Sequence, residues 1–426
     1  MERWILHCDC NSFYASVELL RHPELRERCV AVCGDPESRQ GIILAKNEPA
    51  KRRGVKTAQV IWQAKQACPE LILLPPHRED YTRYSRLLNE LYYSVTDRVE
   101  PFGIDESWLD VTGSWQLFAK SPWQLADQLR QKVRQETGLT ISVGVSFNKV
   151  FAKLGSDYKK PDATTLITPQ NFRQLVWPLP VGDLLYVGRS AAQRLAGQGI
   201  HTIGQLAQAD PGAMEQLLGR QGLQLVRYAQ GLDDEPVRRY GEREPVKSVG
   251  NGTTFKRSLV GQREIQLALG VLADEVAARL RRKGLWAGAV QVTVRDDAMK
   301  TITRQKQLPT SSHLAKELAE ACWQLMRQHW DMRQPVRMLT VTAQSLTTEP
   351  FAVQQSFLEE VPQPDKKRER LEQSLDAIRS KYGRGAIGAG GILNNQLGLG
   401  SLGIEPAREE QPRAFAAPPP IQKQEE

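Results

Sequence analysis

The chain has 426 residues, 40% of them hydrophobic and 25% charged, with a formal net charge of +8. Its length fits two to four domains, and no apolar run reaches the roughly 18 residues that a membrane span needs. The N-terminal residues lack a basic segment, an apolar core and a small-residue cleavage site, so they read as a first strand and a cytoplasmic location is expected.

The charge is uneven. From Gly241 to Ser345 there are 17 Lys and Arg against 10 Asp and Glu, so one segment carries +7 of the total. A basic segment of this kind suggests a polyanionic partner. Of the six cysteines, Cys8 and Cys10 lie two apart and Cys29 and Cys33 four apart. No Cys-x2-Cys pair and no matching histidine pair completes a zinc set, so they read as small buried hydrophobes.

In chain order, residues 4–9 read as a buried strand. Asn11 or Ser12 then offers an N-cap to a helix with Phe13, Val17 and Leu20 on one face. Apolar runs at 30–34 and 41–45 bracket a polar loop at 35–39. Helices are expected at 47–53, 58–67 and 81–97. Two strands meet near Gly103, a helix fits 122–137, Thr140–Ser146 is a β-branched strand, and Asn148–Tyr158 returns to helical spacing. This order implies an antiparallel or mixed sheet with helices on one side. Residues 169–233 show short helices broken by Gly and Pro. From about 246 a second β-α-β-β-α-β unit begins: strands at 247–254, 288–295, 299–307 and 336–345, helices at 263–283 and 312–329. The fold class is α+β. Beyond 346 the chain reads as a tail with a charged helix at 365–382.

Asp9 ends the first strand, and Asp105 and Glu106 follow 96 residues later at a strand junction. Adjacent side chains on a regular strand face opposite ways, so both can approach one site only at a bend or a strand end; Gly103 permits one. Three carboxylates make an oxygen-only site suited to Mg²⁺. Two such ions can activate a hydroxyl and stabilise a leaving pyrophosphate.

These residues sit in long motifs. His7-Cys8-Asp9-Cys10-Asn11-Ser12-Phe13-Tyr14-Ala15-Ser16-Val17-Glu18 resembles the opening motif of Y-family DNA polymerases. Gly103-Ile104-Asp105-Glu106-Ser107-Trp108-Leu109-Asp110-Val111 resembles their catalytic Asp-Glu motif. Ser142–Lys153, with Ser156-Asp157-Tyr158-Lys159-Lys160-Pro161, resembles the strand and helix that follow. The order and spacing match, and the likeness runs from residue 4 to about 395.

The resemblance implies a right-hand, low-fidelity, template-dependent DNA polymerase of translesion synthesis and repair. Its palm would be 1–18 and 78–168, its fingers 19–77, its thumb 169–240, and its DNA-binding little finger 241–346, followed by the tail. By position, Asp9, Asp105, Glu106 and the Cys10 carbonyl are the implied ligands of two Mg²⁺ ions, for which Mn²⁺ can substitute. Asp105 and Glu106 are the implied catalytic pair. Phe13, Tyr14, Lys51 and Lys160 are implied nucleotide contacts, with Tyr14 as the steric gate against a 2′-hydroxyl. Implied contacts to primer–template DNA are Val187, Gly188 and Arg189, in a helix–hairpin–helix-like stretch, and Lys247, Lys256 and Arg257. Gln354, Phe357 and Leu358 resemble a peptide that docks on the bacterial sliding clamp. The expected partners are DNA, dNTPs and that clamp, with no membrane, and a monomer is expected.

The fingers depart from the family pattern. Glu48 stands where a tyrosine is usual, and Lys51 replaces an arginine that contacts phosphates without supplying its bidentate fork. Lys46, Arg52 and Arg53 are the candidate replacements. Three alternatives stay open: a nucleotide cyclase on a similar palm, a catalytically inactive adaptor, and a non-enzymatic DNA-binding protein.

Overall fold

The computed structural model describes residues 2–34, 41–242, 244–350 and 366–388. The loop at 35–39 and the peptide bearing Gln354, Phe357 and Leu358 lie outside the described residues. The chain forms two units, Met1–Arg243 and Glu244–Glu426.

The strands of the first unit are β1 (Ile5–Cys10), β2 (Val30–Cys33), β3 (Ile43–Lys46), β4 (Ile72–Leu74), β5 (Val99–Pro101), β6 (Glu106–Asp110), β7 (Ile141–Ser146) and β8 (Thr164–Leu166). A five-stranded sheet has the order β5-β6-β1-β7-β8, antiparallel except for β7–β8. All six residues of β1 are buried, as expected of a central strand covered on both faces. Leu6, Cys8, Leu109, Val143 and Val145 share a core with Tyr81, Leu88, Leu125, Leu129 and Val133. Helices Arg78–Tyr93 and Pro122–Thr137 therefore cover that face.

The opposite face is covered by helix Lys149–Tyr158, so helices lie on both sides and the one-sided expectation is corrected. The reason is Gly144. A Cβ there would lie 1.9 Å from the Ala152 carbonyl oxygen, and the Gly155 Cβ position is 3.0 Å from the Gly144 Cα. Two glycines let the helix backbone rest directly on β7.

A separate sheet, β3-β2-β4, packs Cys29, Ala31, Cys33 and Ile43 against Ala50, Ala64 and Leu71. The sequence reading missed β4 and β8 because three residues cannot display a period. Residues 172–229 supply five short helices, Phe172–Leu175, Arg189–Ala196, Ile203–Ala207, Pro211–Leu218 and Arg220–Ala229, around their own core.

The second unit holds β9 (Val249–Leu259), β10 (Trp286–Arg295), β11 (Thr301–Ser312) and β12 (Val336–Thr347) in the antiparallel order β11-β10-β12-β9. Helices Gln262–Arg282 and Ala315–His329 bury Leu269, Leu272, Val276, Leu318 and Met326 against Val290, Val292, Leu339 and Val341.

The tail helix, Lys366–Tyr382, belongs to this unit rather than to a free tail. Arg281 pairs with Glu372 and, at 2.6 Å, with Asp376; Arg379 reaches Asp274 at 2.8 Å. Glu372 also accepts from the Ala315 N–H, at the start of a helix whose first N–H groups lack partners. A charged helix looks like a solvated one until its partners are placed.

Candidate active site

In the register of the sheet, Glu106, Asp9 and Ser142 form one cross-strand row, and Trp108, His7 and Gly144 form the next. Partners in an antiparallel pair point the same way, so Asp9 and Glu106 share the face under helix Lys149–Tyr158. Asp105 precedes β6 in a turn where the Phe102 and Gly103 N–H groups donate to the Glu106 carbonyl. The Cys10 N–H donates to the Asp105 carbonyl at 3.0 Å, tying that turn to the end of β1. Leaving the strand there frees Asp105 from alternation and brings it to the same side.

The three carboxylates differ electrically. Asp105 has no ammonium or guanidinium paired with it among the described residues. Burial, with the charges of Asp9 and Glu106, pushes its pKa up to about 6. Burial would also raise Glu106, but a His7 contact and Lys153 outweigh it and hold Glu106 at about 2. Asp9 accepts from Lys153 at 2.7 Å through one oxygen and from Lys160 at 2.7 Å through the other. Lys153 also reaches Glu106 at 2.8 Å. His7 is fully buried, with Nδ1 2.9 Å from Ser156 Oγ and Nε2 3.4 Å from Glu106 Oε2, an approach that does not meet hydrogen-bond geometry. Burial lowers its pKa and favours the neutral ring.

The donor set fits a hard divalent cation. Asp9 and Glu106 lie side by side, and Asp105, partly buried nearby, has no cation of its own among the described residues; repulsion among such carboxylates is relieved by added positive charge. His7, Asp9 and Glu106 already place ligand atoms within 4.8 Å of one another.

A cleft of ≈ 390 Å³ opens beside the carboxylates. Asp9, Cys10, Asn11, Ser12, Phe13, Tyr14 and Asp105 border it on one side; Lys46, Glu48 and Lys51 border it on the other, with Lys160. Ser12 takes a left-handed conformation (φ 50°) and makes no side-chain cap, so the first turn of helix Phe13–Arg21 faces the cleft uncapped. Such a helix start favours phosphate. Phe13 is a core residue, 3% exposed, whereas the Tyr14 ring is half-buried and stacked on Tyr81 at 4.2 Å between centroids. Tyr81 is itself held by the buried Glu18.

Of the possible finger replacements, Lys46 borders the cleft; Arg53 pairs instead with Glu70. Lys51 is 3.3 Å from Glu48, so the two departures from the family pattern sit against each other. Sequence reasoning assigned no role to His7 or Lys153. The signal available was spacing: Lys149 and Lys153 lie one turn apart on a helix that follows a glycine-containing strand, and Lys160 comes two residues after that helix ends.

Farther along, Gly188 starts helix Arg189–Ala196 without a side-chain cap, and Val187 is buried beneath it while Arg189 is exposed. Gly199 has φ +75°, and Thr202 with Gln205 forms a capping box on helix Ile203–Ala207. In the second unit, the sheet face away from the helices carries rows such as Gly252, Thr340, Thr293 and Thr303, or Thr342, Gln291 and Gln305. Lys256 on β9 is exposed. Lys247 is exposed 3.6 Å from Glu244, and Arg257 is held by Glu264 at 2.6 Å. All six cysteines are free and buried; burial, then Cys29, pushes the Cys68 thiol to about 12, which keeps it protonated.

Comparison with known proteins gives the family. Residues 8–157 match the impB/mucB/samB family and residues 246–357 match the C-terminal domain of that family. A DNA polymerase IV of Acetivibrio thermocellus is 40% identical over 93% of this chain and 99% of its own length. DNA polymerase IV 1 of Bacillus subtilis is 36% identical over 92% of this chain and 94% of its own length. A solved Y-family DNA polymerase chimera superimposes with a TM-score of 0.72 at 23% identity, covering 81% of this chain and 100% of that one, which is a likeness of fold. Matching models across both units and relatives this similar over nearly the whole chain place the protein in the impB/mucB/samB family, among the Y-family DNA polymerases.

Proposed function

We propose that the chain adds deoxynucleotides to a primer 3′ end on a DNA template, at low fidelity and past lesions, at a site that takes two Mg²⁺ ions. One observation carries this reading: Asp9 and Asp105 line a cleft whose walls include lysines and an uncapped helix start, and Glu106 stands beside Asp9 across the sheet. Asp9, Asp105, Glu106 and the Cys10 carbonyl would hold the ions, and Mn²⁺ would serve in their place. When bound, the ions supply positive charge to the attacking hydroxyl and the leaving pyrophosphate. Lys160, Lys46, Lys51 and the helix start would neutralise the triphosphate. The Tyr14 ring, stiffened by Tyr81, would lie against the sugar and select against a 2′-hydroxyl.

In this reading the five-stranded sheet and its helices are the palm, residues 19–77 the fingers, 169–240 the thumb and 241–346 the little finger. Exposed threonines, glutamines and Lys256 suit duplex phosphates and sugars. Arg189 at its helix start suits a phosphate as well. Gln354, Phe357 and Leu358 would dock on the sliding clamp, and a monomer in the cytoplasm suits these partners. A cyclase or a non-catalytic adaptor would need the carboxylates or the polar sheet face, but not both. Primer extension on a primed template with Mg²⁺ and dNTPs tests the reading. Full extension by Asp105→Ala would falsify the assignment of the carboxylates.

A further inference from the structure

Lys153 lies among the carboxylates with no role assigned so far. Its ammonium has three N–H donors and meets three carboxylates: Asp9 at 2.7 Å, Glu106 at 2.8 Å and Asp157 at 3.2 Å. Its side chain is 17% exposed, so this charge is mostly out of water. The reach is imposed by the backbone, because Gly144 and Gly155 seat the helix on β7 at a distance no larger residue allows. Lys160 mirrors the arrangement, 2.7 Å from the other Asp9 oxygen and 2.7 Å from Asp157. Both oxygens of Asp9 thus accept from ammonium groups, and a divalent ion bound there competes with them for the same carboxylate charge and lone pairs. Asp157 is half-exposed and stands on the lysine side of the cluster, one helical turn after Lys153.

We propose that Lys153 is the resident counter-cation of the carboxylate site: it holds Asp9 and Glu106 together before metal arrives, yields them to the metal, and withdraws onto Asp157. The proposal rests on the metal-site reading above. Lys153 is a positioning residue here, and its charge competes with the incoming ion. Two ligands for one site are linked, so removing the resident one tightens binding of the other. A lysine that served structure alone would have the opposite effect on metal affinity when lost.

The test is a titration of the full-length, DNA-free protein with Mn²⁺, read as free Mn²⁺ by electron paramagnetic resonance, beside thermal melts in EDTA and in Mn²⁺. Lys153→Met should bind Mn²⁺ about tenfold more tightly than wild type, as loss of a nearby unit positive charge requires. It should melt below wild type in EDTA, where the carboxylates repel, and recover in Mn²⁺. Lys153→Arg keeps the charge and should keep wild-type affinity. Asp157→Asn removes the place of withdrawal and should weaken Mn²⁺ binding. Equal or weaker Mn²⁺ binding by folded Lys153→Met overturns the proposal. Should that variant stay unfolded in both conditions, Asp157→Asn decides, and unchanged or tighter binding overturns it. A wild type that binds no Mn²⁺, or binds it as well after Asp105→Ala, overturns the metal-site reading and this proposal together.

Discussion

The two units put polar residues on sheets in opposite ways. In the first, Asp9 and Glu106 meet at one end of β1 and β6 with His7 in the next row; Asp9 and His7 are buried and Glu106 is mostly so. In the second, polarity is spread over one whole face, from Gly250 to Gln305, and stays solvated. Burial makes each charge in the first unit strong, since the local dielectric is low and every partner is fixed. Spreading makes each contact in the second weak and interchangeable, which suits a duplex gripped without regard to sequence. Under the proposed function, chemistry would use the first arrangement and duplex grip the second.

The sharpest way to break this comparison is Asp105→Ala or Glu106→Ala. Either should lower nucleotide addition by at least about a thousandfold while duplex binding stays within a few-fold. Primer extension and fluorescence anisotropy on the same samples separate the two, and parallel loss of both would erase the distinction between units.

Next in size is Tyr14→Ala. The ratio of kcat/KM for dNTP over rNTP should fall by about a hundredfold, since a rigid ring rejects one added oxygen by clash. A ratio equal to wild type would make Tyr14 a packing residue for Tyr81.

The second unit should respond in smaller, additive steps. Lys256→Ala removes an exposed charge from β9 and should weaken duplex binding uniformly across sequences, reducing the salt slope by about one. Arg257→Ala should change it less, because Glu264 already occupies that guanidinium at 2.6 Å. Equal slopes for both variants would show that the intramolecular pair opens on DNA.

The smallest expected effect is on stability of the metal-free protein. Folding raises the Asp105 pKa from 3.8 to about 6, so the folded state favours its protonated form. Its stabilising contribution is therefore complete below about pH 4 and is lost as the pH rises through 6. In EDTA near neutral pH, Asp105→Asn should stabilise the protein by up to about 3 kcal/mol, with the gain gone near pH 4. Glu106 runs the other way: its contribution is present above its ordinary 4.5 and is lost as the pH falls toward 2. Melts of the Asp105→Asn variant that track wild type at every pH would remove the like-charge account of this cluster.

Much of this molecule was written in its sequence. The strand, turn and helix at Ile5–Arg21, the Asp-Glu junction, the two α+β units and the helical stretch between them follow from hydrophobic period, Gly and Pro placement and three long motifs, all local signals. Tertiary structure alone decided the rest, because it depends on pairs distant in sequence. Lys153 meets Asp9 across 144 residues, and Arg281 meets Asp376 across 95. In sequence such residues look like ordinary surface charges. Gly144 had no visible purpose until a helix lay on it at a distance that excludes a Cβ. Local spacing fixes which elements form and which face each residue takes; only packing fixes which charges share a dielectric.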